Sequence, residues 1–114
     1  MPSIYPLYII RGAIYGLQNK WERSIADMRT GFEMHLRPPG PFSGSLAALI
    51  PEIDEYVTTN PKNARAYAVR GFIKLFQAKR SEADKDFERS FALDPELKME
   101  LTELIQSVID RPVK

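Results

Sequence analysis

Residues 64–97 read ARAYAVRGFIKLFQAKRSEADKDFERSFALDPEL, and much of this stretch repeats a pattern that occurs 59 residues earlier. The motif Tyr67-x-x-Arg70-Gly71 matches Tyr8-x-x-Arg11-Gly12. The same offset relates Ile14, Gln18, Lys20, Ser24, Asp27, Met28, Gly31 and Phe32 to Ile73, Gln77, Lys79, Ala83, Asp86, Phe87, Ser90 and Phe91. A second signal overlaps the first, because Asn60-Pro61 and Asp94-Pro95 lie 34 residues apart. Repetition of a unit of this size predicts a helical repeat protein rather than a compact enzyme, and such units generally bind other proteins.

Apolar periodicity and helix start signals predict an all-α fold. Asn19 and Glu22 have the spacing of a capping box, which starts a helix. Asn60 and Asp94 each precede a proline, the residue favoured at the first helical position. The six predicted helices run from about Tyr5 to Leu17, Lys20 to Met34, Ser45 to Thr58, Pro61 to Gln77, Ser81 onward, and Pro95 to about Asp110.

The repeated stretch resembles the tetratricopeptide repeat family, whose unit is a helix pair of 34 residues carrying an aromatic residue, then Gly, then Ala-x-x-x-Phe, then Pro. Residues 64–97 carry these positions as Tyr67, Gly71, Ala83-x-x-x-Phe87 and Pro95. Residues 5–38 carry them in part, as Tyr8, Gly12, Tyr15 and Ser24-x-x-x-Met28. The resemblance implies a tetratricopeptide-like helical-hairpin array, an α-α superhelix, with a C-terminal capping helix.

Small residues in each unit predict close contact between its two helices. Gly12 should face Ser24, and Gly71 should face Ala83. The offset of 59 residues falls short of two family periods, about 68 residues, so the unit in between is predicted to be degenerate. The predicted single domain, 1–114, then divides into a repeat at 5–38, a half-repeat at 39–63, a repeat at 64–97 and the capping helix at 95–110.

Segment 36–44 is rich in proline and glycine, which favours polyproline II or turns over helix. We expect this segment to run antiparallel to the second helix, in the place of the missing helix of the middle unit.

Two Arg–Asp pairs occupy equivalent positions in the two repeats, Arg11 with Asp27 and Arg70 with Asp86. The favoured interpretation is an ion pair that joins the two helices of one repeat and fixes their register. The alternative is a charge that binds a partner.

The function implied by the resemblance is a non-catalytic protein-interaction or scaffold module, in which the first helices of the repeats line an apolar groove for a peptide or partner segment. By this resemblance the partner-binding residues are Ile9, Ala13, Leu17, Arg65, Ala68, Phe72, Leu75 and Phe76. An alternative is that Phe72 and Phe76 pack under the 36–44 segment or under the helix that begins at Ser45. A second hypothesis is a homodimer that buries the uncapped N-terminal flank at Ile4, Leu7, Tyr8 and Ile14.

Composition argues against several other classes of function. The formal net charge of +1 predicts no strong attraction to nucleic acid or to an anionic membrane. The absence of cysteine removes disulfides and thiolate chemistry, and His35, the only histidine, has the pattern of a surface residue. The sequence contains no phosphate-binding loop or nucleophile motif, so we expect neither an enzyme, nor a cofactor, nor a metal site. No segment approaches the length of a membrane span, and a cytoplasmic protein is the default expectation.

Overall fold

A computed structural model describes residues 5–36 and 53–110, and every regular element in these ranges is a helix. The predicted all-helical fold is therefore confirmed for this part of the chain. The elements are α1 (Tyr5–Leu17), α2 (Trp21–Leu36), α3 (residues 53–59), α4 (Ala64–Phe76), α5 (Arg80–Leu93) and α6 (Pro95–Asp110).

The helices form two antiparallel hairpins, α1 with α2 and α4 with α5, and α4 packs against both helices of the first hairpin. The turns inside the two hairpins are built alike. Asn19 and Ala78 both adopt a left-handed backbone, with φ of 65° and 63°. In the first turn the Lys20 amide donates to the Tyr15 carbonyl at 2.8 Å, and in the second the Lys79 amide donates to the Lys74 carbonyl at 2.8 Å. This is the Schellman motif, which satisfies the last carbonyls of a helix and reverses the chain.

Two predicted helix caps are wrong. Asn19 does not cap α2, because its left-handed backbone terminates α1 and its side chain accepts a hydrogen bond from Trp21 Nε1 at 2.7 Å. Asn60 does not cap α4, because Asn60 and Asn63 close a turn in which the Asn63 amide donates to the Asn60 carbonyl at 3.0 Å. Asn63 is the cap, and its side-chain oxygen accepts from the Ala66 amide at 3.1 Å. The two X–Pro dipeptides therefore have different structural roles.

The start of α6 agrees with the sequence prediction. Asp94 adopts an extended backbone and its carboxylate accepts from the Glu96 amide at 3.2 Å, with Pro95 at the first helical position. The start of α5 lies one residue before Ser81, and its cap residue, Lys79, makes no side-chain capping bond.

The core cluster contains buried side chains from α1, α2, α4, α5 and α6. The predicted apolar stripe of α2 is fully inward, with Trp21, Ile25, Met28 and Phe32 all at most 5% exposed. Because these residues recur every three or four positions, they present one continuous face to α4.

Close approach within each hairpin depends on a glycine. A Cβ atom added at Gly12 would lie 2.8 Å from the Ser24 carbonyl oxygen, which confirms that this glycine faces Ser24. A Cβ at Gly71 would lie 2.9 Å from the ring of Phe87. Gly71 thus makes room for the Phe87 ring, which lies one turn after Ala83 on the facing helix.

The last helix joins the two hairpins. Leu97, Leu101 and Val108 are buried, and α6 contacts α5, α4 and also α2. Glu100 accepts a hydrogen bond from the Asn19 side chain at 3.2 Å, 81 positions away in the sequence. The predicted path of 36–44 and the first part of the predicted 45–58 helix lie outside the described residues.

Candidate functional site

Most of the residues predicted to line a peptide groove lie in the hydrophobic core. Five of them are at most 9% exposed: Ile9, Ala13, Ala68, Phe72 and Phe76. Leu17 and Leu75 are partly buried against the same core. Arg65 alone of the predicted set is exposed.

Aromatic contacts explain the burial of Phe72 and Phe76. The Phe72 ring lies 5.8 Å from Trp21 and 5.0 Å from Phe87, edge-on to the latter. The Phe76 ring stacks on Phe32 at 5.3 Å. The side chains that cover these two rings belong to α2 and α5, whereas the predicted covering elements, segment 36–44 and the start of the helix from Ser45, lie outside the described residues.

The exposed Arg65 borders an open cleft of about 790 Å³ between the 60–64 turn and the start of α6. Glu96 and Glu100 line the opposite wall, and Asn19 lies at one end. The cleft is polar and of mixed charge, and none of the other predicted groove residues reaches it.

A different apolar surface is open to solvent. On α1, Leu7 is 64% exposed, Ile10 is 39% exposed and Ile14 is 48% exposed. These three residues follow one another at spacings of three and four, so they form a single stripe, which we call the α1 outer face. The opposite side of α1, with Ile9 and Ala13, is buried.

The second repeat buries the equivalent stripe. Ala66, Val69 and Ile73 stand 59 positions after Leu7, Ile10 and Ile14, and they are 2%, 1% and 0% exposed. Val69 packs over Gly16, where an added Cβ would lie 2.7 Å from the Val69 side chain. The same helical face is therefore covered in one repeat and uncovered in the other.

The predicted Arg–Asp ion pairs are both confirmed, with matching atoms. Arg11 Nε and Nη2 donate to Asp27 at 2.6 and 2.9 Å. Arg70 Nε and Nη2 donate to Asp86 at 2.9 and 2.7 Å. Each pair is a two-point contact between the helices of one hairpin, which fixes their register.

The second pair belongs to a larger network. Arg70 Nη1 donates to Asp54 of α3 at 3.0 Å, and Lys74 lies 3.7 Å from Asp86. Asp86 is only 4% exposed, so these cations offset the cost of removing its carboxylate from water. Hydrogen bonding to Asp86 raises the pKa of the Arg70 guanidinium above its ordinary value, although burial opposes this shift. Arg70 therefore stays charged and holds α3, α4 and α5 together.

Three cations surround Tyr15, the residue that follows Ile14 of the α1 outer face in the sequence. Arg11, Lys20 and Arg23 each lie about 6 Å from the ring centre of Tyr15, at 5.9, 6.0 and 5.9 Å. Within the described ranges, Lys20 and Arg23 form no ion pair with a carboxylate. Because Arg11 is paired with Asp27, the uncompensated positive charge around Tyr15 is that of Lys20 and Arg23.

Sequence reasoning identified Leu7 and Ile14 as part of an open flank but did not include Ile10. The sequence of α1 does indicate a wider apolar surface, because the helix has one charged residue in thirteen, Arg11, and is apolar around most of its circumference. A helix of that kind usually has both sides covered.

Residues 5–36 and 53–110 contain no group of three acidic, histidine or cysteine side chains placed to hold a metal ion. In the same ranges, no helix combines the length and hydropathy needed to cross a bilayer. No family model matches this sequence, and neither does any curated protein or solved structure.

Proposed function

We propose that this protein is a non-catalytic interaction module of the tetratricopeptide type that binds a partner protein through the α1 outer face. The single observation that carries the proposal is the exposure of Leu7, Ile10 and Ile14 on a helix whose opposite side forms part of the core. Soluble proteins seldom leave several large aliphatic side chains aligned and uncovered unless the surface binds something.

The tetratricopeptide assignment is supported by the equivalence of the two hairpins. Both hairpins use a glycine at the helix crossing, an Arg–Asp pair across the helices and a left-handed residue in the turn. The concave superhelical arrangement of the family is part of the same proposal.

Apolar burial is the expected source of affinity. Burying a fully exposed Leu or Ile side chain contributes about 1.5–3 kcal/mol. Because the three side chains are only 39–64% exposed, covering each of them supplies about half of that amount, which offsets part of the cost of association. The predicted groove through Phe72 and Phe76 is less favoured as the binding surface, because a partner would have to separate α4 from α2 to reach these rings.

A crosslinking experiment tests this proposal. A photoreactive amino acid replaces Ile10 in the full chain, and a matched control carries the same group at Met99, which is 86% exposed on α6. We expect a partner that crosslinks from position 10 but not from position 99, and whose capture is lost in the Ile14→Ser variant. Identical crosslinking from both positions, or capture unaffected by Ile14→Ser, would refute the proposed surface.

Ile14→Ser is a suitable variant because this side chain is half exposed and its loss should leave the fold intact. A thermal melt that matches the parent protein verifies this condition before the crosslinking is interpreted.

A further inference from the structure

We propose that the α1 outer face binds an acidic amphipathic helix of a partner protein, and that a carboxylate of this helix accepts a hydrogen bond from Arg11 Nη1. This inference rests on the proposed function and specifies the chemistry of the partner. It comes from comparing the surroundings of two equivalent arginines in one chain.

Arg70 shows how this position is filled when a helix lies beside it. Its Nε and Nη2 atoms bind Asp86 within the hairpin, and its Nη1 atom binds Asp54 of α3 at 3.0 Å. The guanidinium thus uses one edge for its own repeat and another donor for a neighbouring helix. Planar guanidinium groups suit such double recognition because their donors point in fixed directions.

Arg11 repeats half of this arrangement. Its Nε and Nη2 atoms bind Asp27 through the same pair of contacts. Among the described residues, no carboxylate reaches its Nη1 atom, and the side chain is 56% exposed. Outside these ranges the sequence contains one acidic side chain, Glu52. The donor that binds the neighbouring helix in the second repeat therefore has no carboxylate partner within residues 5–36 and 53–110 in the first.

The helix that supplies Asp54 also supplies an apolar residue on the same face. Val57 lies three positions after Asp54 and is 4% exposed, and Ile53 packs against the core. Residues three apart on a helix share a face. The expected partner helix therefore carries an acidic residue preceded immediately by one apolar residue and followed by another three positions later, in the manner of Ile53-Asp54-x-x-Val57.

Charge around the outer face favours the same partner. Lys20 and Arg23 lie beside Tyr15 without a carboxylate in the described ranges, which adds positive potential next to Arg11. An acidic helix would be attracted to this edge, and a basic helix would be repelled.

A second copy of this chain would fit the α1 outer face less well than an acidic helix. α1 contains no acidic residue, so packing α1 against its own copy would offer Arg11 no carboxylate. Asp54 is already bonded to Arg70 within the same chain.

The test uses two synthetic helix-stapled peptides of about 15 residues, the length at which helices begin to persist in water. Both carry the apolar pattern described above, and they differ only by Asp or Asn at the acidic position. Fluorescence anisotropy measures their affinity for the full chain and for the Arg11→Lys variant. Arg11→Lys keeps a positive charge near Asp27 but lacks the second donor of the guanidinium fork.

We expect the Asp peptide to bind the parent protein about tenfold more tightly than the Asn peptide, as a net charge-assisted hydrogen bond implies. This difference should disappear in Arg11→Lys, while Ile14→Ser should weaken both peptides. A Met99→Ser control should change neither affinity.

Three results would overturn the inference, and they separate it from the proposed function. Equal binding of the Asp and Asn peptides, both weakened by Ile14→Ser, would keep the surface but remove the acidic partner. Binding of neither peptide, while position 10 still crosslinks to a partner, would show that the partner does not present this helix. A dimer in light scattering that dissociates in Ile14→Ser would show that a second copy occupies the face.

Discussion

Replacing Ala78 by glycine should stabilise the protein, because Ala78 adopts a left-handed backbone with φ of 63° at the end of α4. In this conformation the Cβ atom of any L-residue crowds the following carbonyl oxygen. The backbone cannot leave it, since the Ala78 amide donates to Leu75 at 3.0 Å and the Lys79 amide donates to Lys74 at 2.8 Å.

The expected gain in the free energy of unfolding of Ala78→Gly is the difference between two opposing effects. Relief of the left-handed strain contributes about 1–2 kcal/mol. Glycine also gives the unfolded chain more freedom, which costs about 0.4–1 kcal/mol. Ala78 is exposed, so the lost methyl group removes no packing. The net gain should be about 0.5–1 kcal/mol, equivalent to a rise in Tm of roughly 2–5 °C for a domain of this size.

Urea titration and thermal melting of Ala78→Gly measure this gain. The matched control is Asn19→Gly at the equivalent position of the first turn. Asn tolerates the left-handed region, and Asn19 also accepts a hydrogen bond from Trp21 Nε1 at 2.7 Å and donates to Glu100 at 3.2 Å. We therefore expect the control to be neutral or destabilised. A fall in Tm for Ala78→Gly, or an equal rise in both variants, would refute the assignment of strain to Ala78.

Five further substitutions, one alone and four in two matched pairs, test the packing inside the hairpins. Ser24→Ala should stabilise the protein by about 1 kcal/mol in urea unfolding, because the fully buried Ser24 Oγ has no hydrogen-bond partner in the structure; a loss of stability would indicate that the hydroxyl is bonded. Gly12→Ala should lose about 2 kcal/mol of stability, since the new Cβ would lie 2.8 Å from a backbone oxygen of the facing helix. Gly71→Ala should lose less stability, because the atoms it meets belong to a side chain that can shift. A lower Tm for Gly71→Ala than for Gly12→Ala would contradict this order. Asp86→Asn should lower the free energy of unfolding by about 3 kcal/mol, because it disrupts a buried ion pair. Asp27→Asn should lower it by less than about 1 kcal/mol, because the Arg11–Asp27 pair is more solvated. If the two variants lose the same stability, at both low and high salt, the difference in burial does not explain their stability.

Helix positions could be read from the sequence where local chemistry and packing agree. The bounds of α1 and the start of α6 match the prediction, and the stripe from Trp21 to Phe32 is buried as expected. Strong apolar periodicity specifies both the helix and its inward face, so neither depends on knowing the neighbours.

Capping positions were harder to predict because one residue type serves several local structures. Asparagine is favourable as a helix cap and also in the left-handed region, and Asn19 takes the second role. Proline is favourable at the first position of a helix and at the second position of a turn, and Pro61 takes the turn. Which of these local structures Asn or Pro adopts depends on where the next helix must begin in order to pack against the core.

The burial of the residues predicted to line a groove could not be predicted from the repeated motif, because burial depends on which helix lies next to which. Phe72 and Phe76 resemble groove residues in sequence, but α4 packs against α2 and buries them. The Arg–Asp pairs were predictable because both partners lie within one hairpin, at a separation of 16 residues. The contact of Arg70 with Asp54 also spans 16 residues, but Asp54 lies in a helix outside the repeat, so the repeated motif did not identify it.

The contact between α6 and α2 should make unfolding of this protein more cooperative than unfolding of a linear repeat array. In an open-ended stack of repeats, the terminal units can melt while the rest stays native. Here the last helix also contacts α2, and Glu100 bonds Asn19 in the turn before it, so we expect α6 to hold the two hairpins together while it remains docked. Slowly exchanging amides in both hairpins should therefore become labile together, at one common opening free energy.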